Sequence, residues 1–364
     1  MTGWDELLGS LARAGEVVCG PLGGRTEREV AEGYRHLTRV FAIAAEMLVE
    51  KGDPAHPAFT RWMTPYRKMY GDNPRTVYDT AVVSADHTYV VTGTRGTAAY
   101  LGFCLYGTAP DGAKRIAGNL DDDELTVGVD GHFTLRLGGP AAEDNWLALD
   151  PDVTEIIVRQ YFVDPDAEHP AAYTIDTSPP AGPPPPLELA RFEARLAQLG
   201  RYVLGTVEAE TTLSALSASI AHAGDGPADL PLDTSAIARV MPTPAIQYSG
   251  QWFDDLGEDE VIVVEGTVPD CRYWSVQLLT RFMESGDWLH HPVYRTGSDI
   301  ASRDGRFRVA VAHRDPGLGT WLSTTGLTSG NLAVRALKAS GPLDVTFRRV
   351  RRDDERGRRE GEGE

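Results

Sequence analysis

The sequence predicts a mainly β protein with α additions, built as two tandem antiparallel β-sandwich or jelly-roll-like units with an N-terminal helix and a helical segment between them. Three observations carry this. Period-two alternation of apolar and polar residues, bounded by turn residues, fills 76–162 and 246–350. The two stretches carry the same short words in the same order. A proline-rich spacer and a helical pattern lie between them.

The repeated words predict a duplication. Val91-Thr92-Gly93 followed by Tyr100 matches Val264-Glu265-Gly266 followed by Trp274. Gly131-His132-Phe133 matches Gly305-Arg306-Phe307, Asn145-Trp146-Leu147 matches Thr320-Trp321-Leu322, and Val158-Arg159 matches Val334-Arg335. The five offsets drift only from 173 to 176 residues, so one β unit is read twice.

Taken in order, residues 1–75 hold a helix and an aromatic loop. Thr26 and Glu29 form a capping-box pattern. Val30, Tyr34, Leu37, Phe41, Ala44 and Leu48 then recur at steps of four and three, which predicts a helix over Glu27 to Glu50 with that stripe packed inward. The loop from Asp53 to Thr80 carries Trp62, Tyr66, Tyr70, Asn73 and Tyr78 among Arg67, Lys68 and Arg75.

Residues 76–163 are the first β unit, with strands expected at Tyr89–Val91, Ala98–Tyr106, Phe133–Leu137 and Ile156–Phe162. Residues 164–245 are a linker and helical segment. Pro179, Pro180 and Pro183 to Pro186 cannot donate to a ladder, and Leu189, Phe192, Leu196, Leu199 and Val203 share a helix face. Helical or mixed structure is expected on to Ala221, and a loop at 224–231. Residues 246–350 are the second β unit. In 351–364 arginines interleave with acids and apolar residues are lacking, which predicts a disordered charged tail.

Composition narrows the function. A formal net charge of −18 argues against broad nucleic-acid binding and against an anionic membrane surface. Three sparse cysteines give no disulfide framework, and Cys104 and Cys271 read as small buried hydrophobes. The N-terminus lacks the basic lead of a signal peptide, and no apolar run approaches a transmembrane span, so a cytoplasmic location is expected. No strand leads into a Gly-rich turn and helix, and no Gly-x-Ser-x-Gly elbow is present, so no nucleotide cofactor or α/β-hydrolase chemistry is expected.

Further stretches carry a family resemblance. Asp72-Asn73-Pro74 and Tyr78 lie in the first half. Cys271-Arg272-Tyr273-Trp274-Ser275, His290-His291-Pro292-Val293, Ala312 to Gly317 and Trp321-Leu322 lie in the second. Together they resemble the bacterial domain-of-unknown-function family numbered 1214, with a first half similar to its partner family 1254. Arg75 and Thr320 depart from the residues usual there. The resemblance implies a two-part β-sandwich fold with helical additions and leaves the reaction open.

Three sets of residues could carry chemistry. His313 and His291, with Asp315 nearby in sequence, could move a proton, a carboxylate fixing the tautomer; the rival reading is turn histidines bonding backbone. Tyr66, Tyr70, Asn73 and Tyr78 could hold a flat ligand, or simply strap the helix to the sheet. Trp274, Gln277 and Arg281 could line a cavity, or form the wet face of a sheet. Arg159 and Arg335 read as a shared packing or ion-pair position. The adjacent His290 and His291 would point to opposite strand faces, and Asp121 to Glu124 lack the spacing of a calcium loop, so no metal is expected.

The resulting expectation is a cofactor-independent acid–base enzyme of lyase, isomerase, cyclase or hydrolase type. It would act on a mid-sized, partly apolar metabolite in a cleft between the β units. The alternatives are a non-catalytic ligand-binding or oligomeric assembly protein and, more weakly, a carbohydrate-processing protein. The expected partner is a small molecule, with no nucleic acid and no membrane, and homo-oligomerisation is compatible with either main reading.

Overall fold

The computed structural model describes residues 2–110, 112–222 and 243–362. The expected loop at 224–231 lies outside them. The fold is α+β, with four sheets that are antiparallel apart from one short parallel pair in each unit. The chain divides into two compact units. Unit 1 takes Met1–Lys68 and Arg75–Ala209; unit 2 takes Met69–Pro74 and, from Ala245, the rest of the chain, together with the helix residues from Glu210. The aromatic loop, expected to be one piece with the N-terminal helix, is thus shared, and Met69–Pro74 joins the second unit.

Unit 1 opens with helix α1 (Gly3–Cys19), whose start is closed by a reciprocal capping box between Thr2 and Asp5. Helix α2 (Glu27–Ala44) continues into a π-helical turn at Ala45–Glu50, and Thr26 caps it as expected. The inward stripe lies one step away from the expected one. Gly33, His36, Val40 and Ile43 are buried, whereas Tyr34 stands exposed. The apolar count favoured the tyrosine stripe, but small and polar residues take the buried face.

The strands of unit 1 are β1 (Thr60–Arg61), β2 (Thr76–Val82), β3 (Tyr89–Thr94), β4 (Tyr100–Thr108), β5 (Lys114–Asp121), β6 (His132–Leu137), β7 (Trp146–Leu147), β8 (Val153–Tyr161) and β9 (Ala172–Thr177). They form the sheets β1-β2-β8-β4-β5 and β7-β6-β3-β9. Leu101, Phe103, Leu105, Ile156 and Val158 from one sheet meet Val91, Phe133, Leu135 and Ile175 from the other in a single core. At roughly 25 cal/mol per Å² of apolar surface removed from water, such sandwich cores dominate the stability of each unit.

Unit 2 repeats the plan with β10 (Ile246–Phe253), β11 (Glu260–Thr267), β12 (Tyr273–Leu279), β13 (Tyr294–Thr296), β14 (Ser302–Arg303), β15 (Arg306–Ala312), β16 (Trp321–Ser323), β17 (Gly330–Leu337) and β18 (Val345–Arg351). The sheet β10-β17-β12-β13 answers β2-β8-β4-β5, and β14-β15-β11-β18 answers the second sheet of unit 1. The parallel pair recurs too, as Arg136 opposite Trp146 and Ala310 opposite Trp321. Gly131 and Gly305 both precede their strands with positive φ, at 81° and 73°.

Ladder register corrects one anchor of the duplication. Tyr100 and Tyr273, not Trp274, stand opposite the matching residues Tyr161 and Leu337. A slip of one residue reverses the face. Trp274 therefore points into the sandwich, where its ring centroid lies 4.7 Å from that of Phe307.

Helix α3 (Leu189–His222) covers both helical patterns of the linker in one run. The expected disordered tail instead forms helix α4 (Arg352–Glu362). Its anchor is Glu355, buried against Arg308, Arg348 and Arg358 at 3.6, 3.4 and 2.7 Å. Ion pairing replaces the apolar face whose absence predicted disorder. Among the described residues no helix is long and apolar enough to cross a membrane.

Candidate functional site

In both units the sheet that holds the arginine-bearing strand, β8 or β17, turns one face away from its sandwich core. The rungs across β2, β8 and β4 read Thr76–Tyr161–Tyr100, Tyr78–Arg159–Gly102 and Thr80–Ile157–Cys104. Those across β10, β17 and β12 read Ile246–Leu337–Tyr273, Tyr248–Arg335–Ser275 and Gly250–Ala333–Gln277. Each unit therefore sets one arginine at the middle of this face, beside a tyrosine on the neighbouring strand.

Arg335 is held within its own unit. The segment Met69–Pro74 lies over this face and turns sharply, with Tyr70 and Gly71 both left-handed at φ of 51° and 65°. Arg335 Nη2 donates to the Gly71 carbonyl at 2.9 Å, and its guanidinium lies 5.7 Å from the Tyr248 ring. Gln277 Nε2 donates to the Asp72 carbonyl at 2.8 Å, and the Tyr273 hydroxyl to Asn73 Oδ1 at 3.0 Å. The Asp72 carboxylate accepts from the Ser285 amide at 2.8 Å and hydroxyl at 2.6 Å. The Tyr70 amide donates to the buried carboxylate of Glu210. Arg281, also buried, donates to Ser329 Oγ at 3.3 Å and lies 4.9 Å from the Trp252 ring.

Arg159 stands differently. It is only 5% exposed, and no carboxylate of the described residues pairs with it. Its surroundings are the Tyr106 ring, 5.5 Å from the guanidinium carbon, with Cys104, Tyr161 and Tyr78. The guanidinium remains a cation at neutral pH. Burial pushes the hydroxyls of Tyr106 and Tyr100 and the thiol of Cys104 up, so all three remain protonated donors at neutral pH. Tyr100 packs edge-on to Tyr161 at 5.8 Å. A side chain at Gly102 would strike the Tyr100 hydroxyl, which is why the rung of Arg159 carries glycine. The acids nearby are otherwise engaged: Glu155 accepts from Thr80 Oγ1 at 2.8 Å and from Lys114 Nζ at 2.8 Å. Burying an unpaired charge costs several kcal/mol, so this arrangement suits an anion supplied from outside.

Of the residues expected in a site, Tyr70, Asn73, Gln277 and Arg281 do come together in unit 2, where each bonds to the chain. Tyr78 lies on the rung of Arg159, in unit 1. Tyr66 projects outward, 73% exposed. Trp274 belongs to the core of unit 2 rather than to a binding face. No hydrogen bond joins His313, His291 and Asp315 among the described residues. His313 spends both ring nitrogens on unit 2, Nδ1 at 2.6 Å from Thr324 Oγ1 and Nε2 at 2.8 Å from the Leu256 carbonyl. His291 is exposed, and the exposed Asp315 accepts from the Gly317 amide at 2.9 Å. Carboxylate oxygens of Asp121, Asp122 and Asp123 lie within 4.8 Å of one another, but Asp122 is held by Arg95 at 2.6 Å.

Sequence reasoning missed Tyr100, Cys104, Tyr106 and Tyr161 as one group, and read Arg159 as structural. The available signal was the repeat itself. Once Val158-Arg159 aligns with Val334-Arg335, period two puts Tyr161 on the face of Arg159, and Tyr100, Cys104 and Tyr106 on one face of the neighbouring strand.

Fold and site together define a two-unit α+β protein with a duplicated antiparallel sandwich and a buried arginine that meets no carboxylate of the described residues. The chain is similar to an uncharacterized protein from Burkholderia cenocepacia, with 31% sequence identity over 97% of each chain and a TM-score of 0.89. It belongs to the family of that protein. A Vibrio parahaemolyticus protein is 11% identical over 95% of this chain and 99% of its own, with a TM-score of 0.45, too distant to add to the argument. No family model matches the chain, and no curated relative does.

Proposed function

We propose that the protein binds a small organic anion on the outer face of the larger sheet of unit 1, with Arg159 as its anchor. One observation carries this reading: a guanidinium 5% exposed, with no carboxylate of the described residues to pair it. The duplication supports it. The equivalent Arg335 donates to the Gly71 carbonyl of Met69–Pro74, whereas no carboxylate of the described residues meets Arg159. Tyr78, Tyr106 and Tyr161 add ring surface around the anchor. The proposal also keeps the likeness to families 1214 and 1254, which rests on the stretches from Asp72 to Leu322 quoted above.

Binding is favoured over acid–base catalysis. The histidines that were to move the proton lie in unit 2, where His313 serves the fold. The tyrosines beside Arg159 are too firmly protonated to act as bases near neutral pH. The test is recovery of the ligand. Protein purified under native conditions is denatured, and the released small molecules are read by mass spectrometry. Wild type is expected to release an organic anion in near-stoichiometric amount that Arg159→Met does not carry. Equal recovery from both proteins would overturn the reading.

A further inference from the structure

We propose that a groove in unit 1, independent of Arg159, binds a small zwitterion of the α-amino acid type.

The groove lies where three stretches of unit 1 meet: Glu50 to His56 after helix α2, the proline-rich segment before α3, and the first two turns of α3. Its frame is stiff. Pro184, Pro185 and Pro186 have fixed φ and no amide to donate. The segment is tied down just ahead of them, where His56 Nε2 donates to the Gly182 carbonyl at 2.8 Å and the Ala181 amide to Thr177 Oγ1 at 2.9 Å. On the helix side, Arg195 donates to the Val49 carbonyl at 3.0 Å and lies 3.5 Å from Asp53 Oδ2. The same oxygen lies 3.6 Å from His56 Nδ1. Asp53, His56 and Arg195 therefore hold the walls together, and their charges are spent on one another. The groove so framed encloses about 200 Å³. Pockets for drug-sized ligands start at about 300 Å³, so this one suits a smaller molecule.

The charges left over select the ligand. Glu50, Glu188 and Arg191 also line the groove, and their side chains make no ion pair or hydrogen bond among the described residues. A simple anion would answer Arg191 but face two acids. A simple cation would answer the acids but face Arg191. A molecule with one charge of each sign answers both. The guanidinium is a planar fork that matches a carboxylate, and the acids accept from an ammonium group. Phe192 and the proline rings supply apolar wall beside these charges for the rest of the molecule.

The test is an amide-resolved NMR titration of the full chain at matched ionic strength. The probes are L-leucine, 4-methylpentanoate, which lacks the ammonium, and 3-methylbutylamine, which lacks the carboxylate. L-Leucine is expected to give saturable shifts at amides of Glu50 to His56 and Leu187 to Arg195. Each single-charge analogue is expected to bind there at least about threefold more weakly. Glu50, Glu188 and Arg191 are exposed, so replacing them leaves the fold intact. Arg191→Met, and Glu50→Gln combined with Glu188→Gln, are each expected to weaken L-leucine about three- to fivefold. An analogue that binds as tightly as L-leucine, unchanged L-leucine binding in either variant, or no saturable shift at these amides overturns the proposal.

Discussion

Arg159 and Arg335 stand on the same rung of two duplicated sheets, each opposite a tyrosine on the neighbouring strand, Tyr78 and Tyr248. Arg335 donates to the Gly71 carbonyl at 2.9 Å, while Arg159 is buried with no carboxylate of the described residues to meet it. Duplication supplies an internal comparison here. The same residue bonds a backbone carbonyl in one copy and lies against a tyrosine ring in the other.

The lock in unit 2 depends on Asp72, which accepts both the amide and the hydroxyl of Ser285. Hydrogen bonds to a buried charge contribute about 1.5–3 kcal/mol each, and the orphaned donors add to the loss. Asp72→Ala is therefore expected to destabilise unit 2 by about 3 kcal/mol, read as a lower urea midpoint. Ser285→Ala should cost less, because the backbone amide bond survives. Equal stability of Asp72→Ala and wild type would mean that the segment Met69–Pro74 is not held this way.

His313 and His291 separate the catalytic reading from the structural one. His313→Ala removes a side chain bonded to Thr324 and to the Leu256 carbonyl, and is expected to cost about 1–3 kcal/mol. The exposed His291→Ala should be within about 0.5 kcal/mol of wild type. Both variants should release the same small molecule as wild type does, read by mass spectrometry. Loss of binding in either would return these histidines to the site.

The fold was legible because alternation and the repeat are long-range patterns that survive without partners. The site was half legible. Tyr70, Asn73, Gln277 and Arg281 were singled out by residue type, and they do meet, but as a packed cluster. Trp274 failed through a single-residue slip in aligning the copies, which turned a core side chain into a binding one. Arg159 was passed over because sequence cannot show whether an arginine has a carboxylate to meet. Helix α4 was unreadable for a related reason: Glu355 finds Arg308 and Arg348 only once β15 and β18 are in place.

That ion-pair anchor makes helix α4 acid-labile. Burial alone would raise the Glu355 carboxyl, but hydrogen bonding and charge from Arg358 and Arg348 outweigh it and hold the carboxyl below the usual range. A depressed carboxylate adds stability above its unfolded value of about 4.3, and that stability is lost as pH falls through the lower folded value. The helix should be docked at pH 7 and released below about pH 4, as followed by amide chemical shifts of Asp353 to Arg358. Glu355→Gln should release it already at pH 7. A helix that stays docked in that variant would place its anchor elsewhere.

The central claim is that Arg159 meets no carboxylate among the described residues. The direct measurement compares the urea unfolding of Arg159→Met and Arg335→Met in ligand-free protein. Arg335→Met strands the Gly71 carbonyl and is expected to cost about 3 kcal/mol. Arg159→Met removes a buried charge that no carboxylate of the described residues pairs, and should be neutral or stabilising by about 1 kcal/mol. If Arg159→Met loses as much stability as Arg335→Met, the guanidinium is bound internally and the site is not one for a ligand.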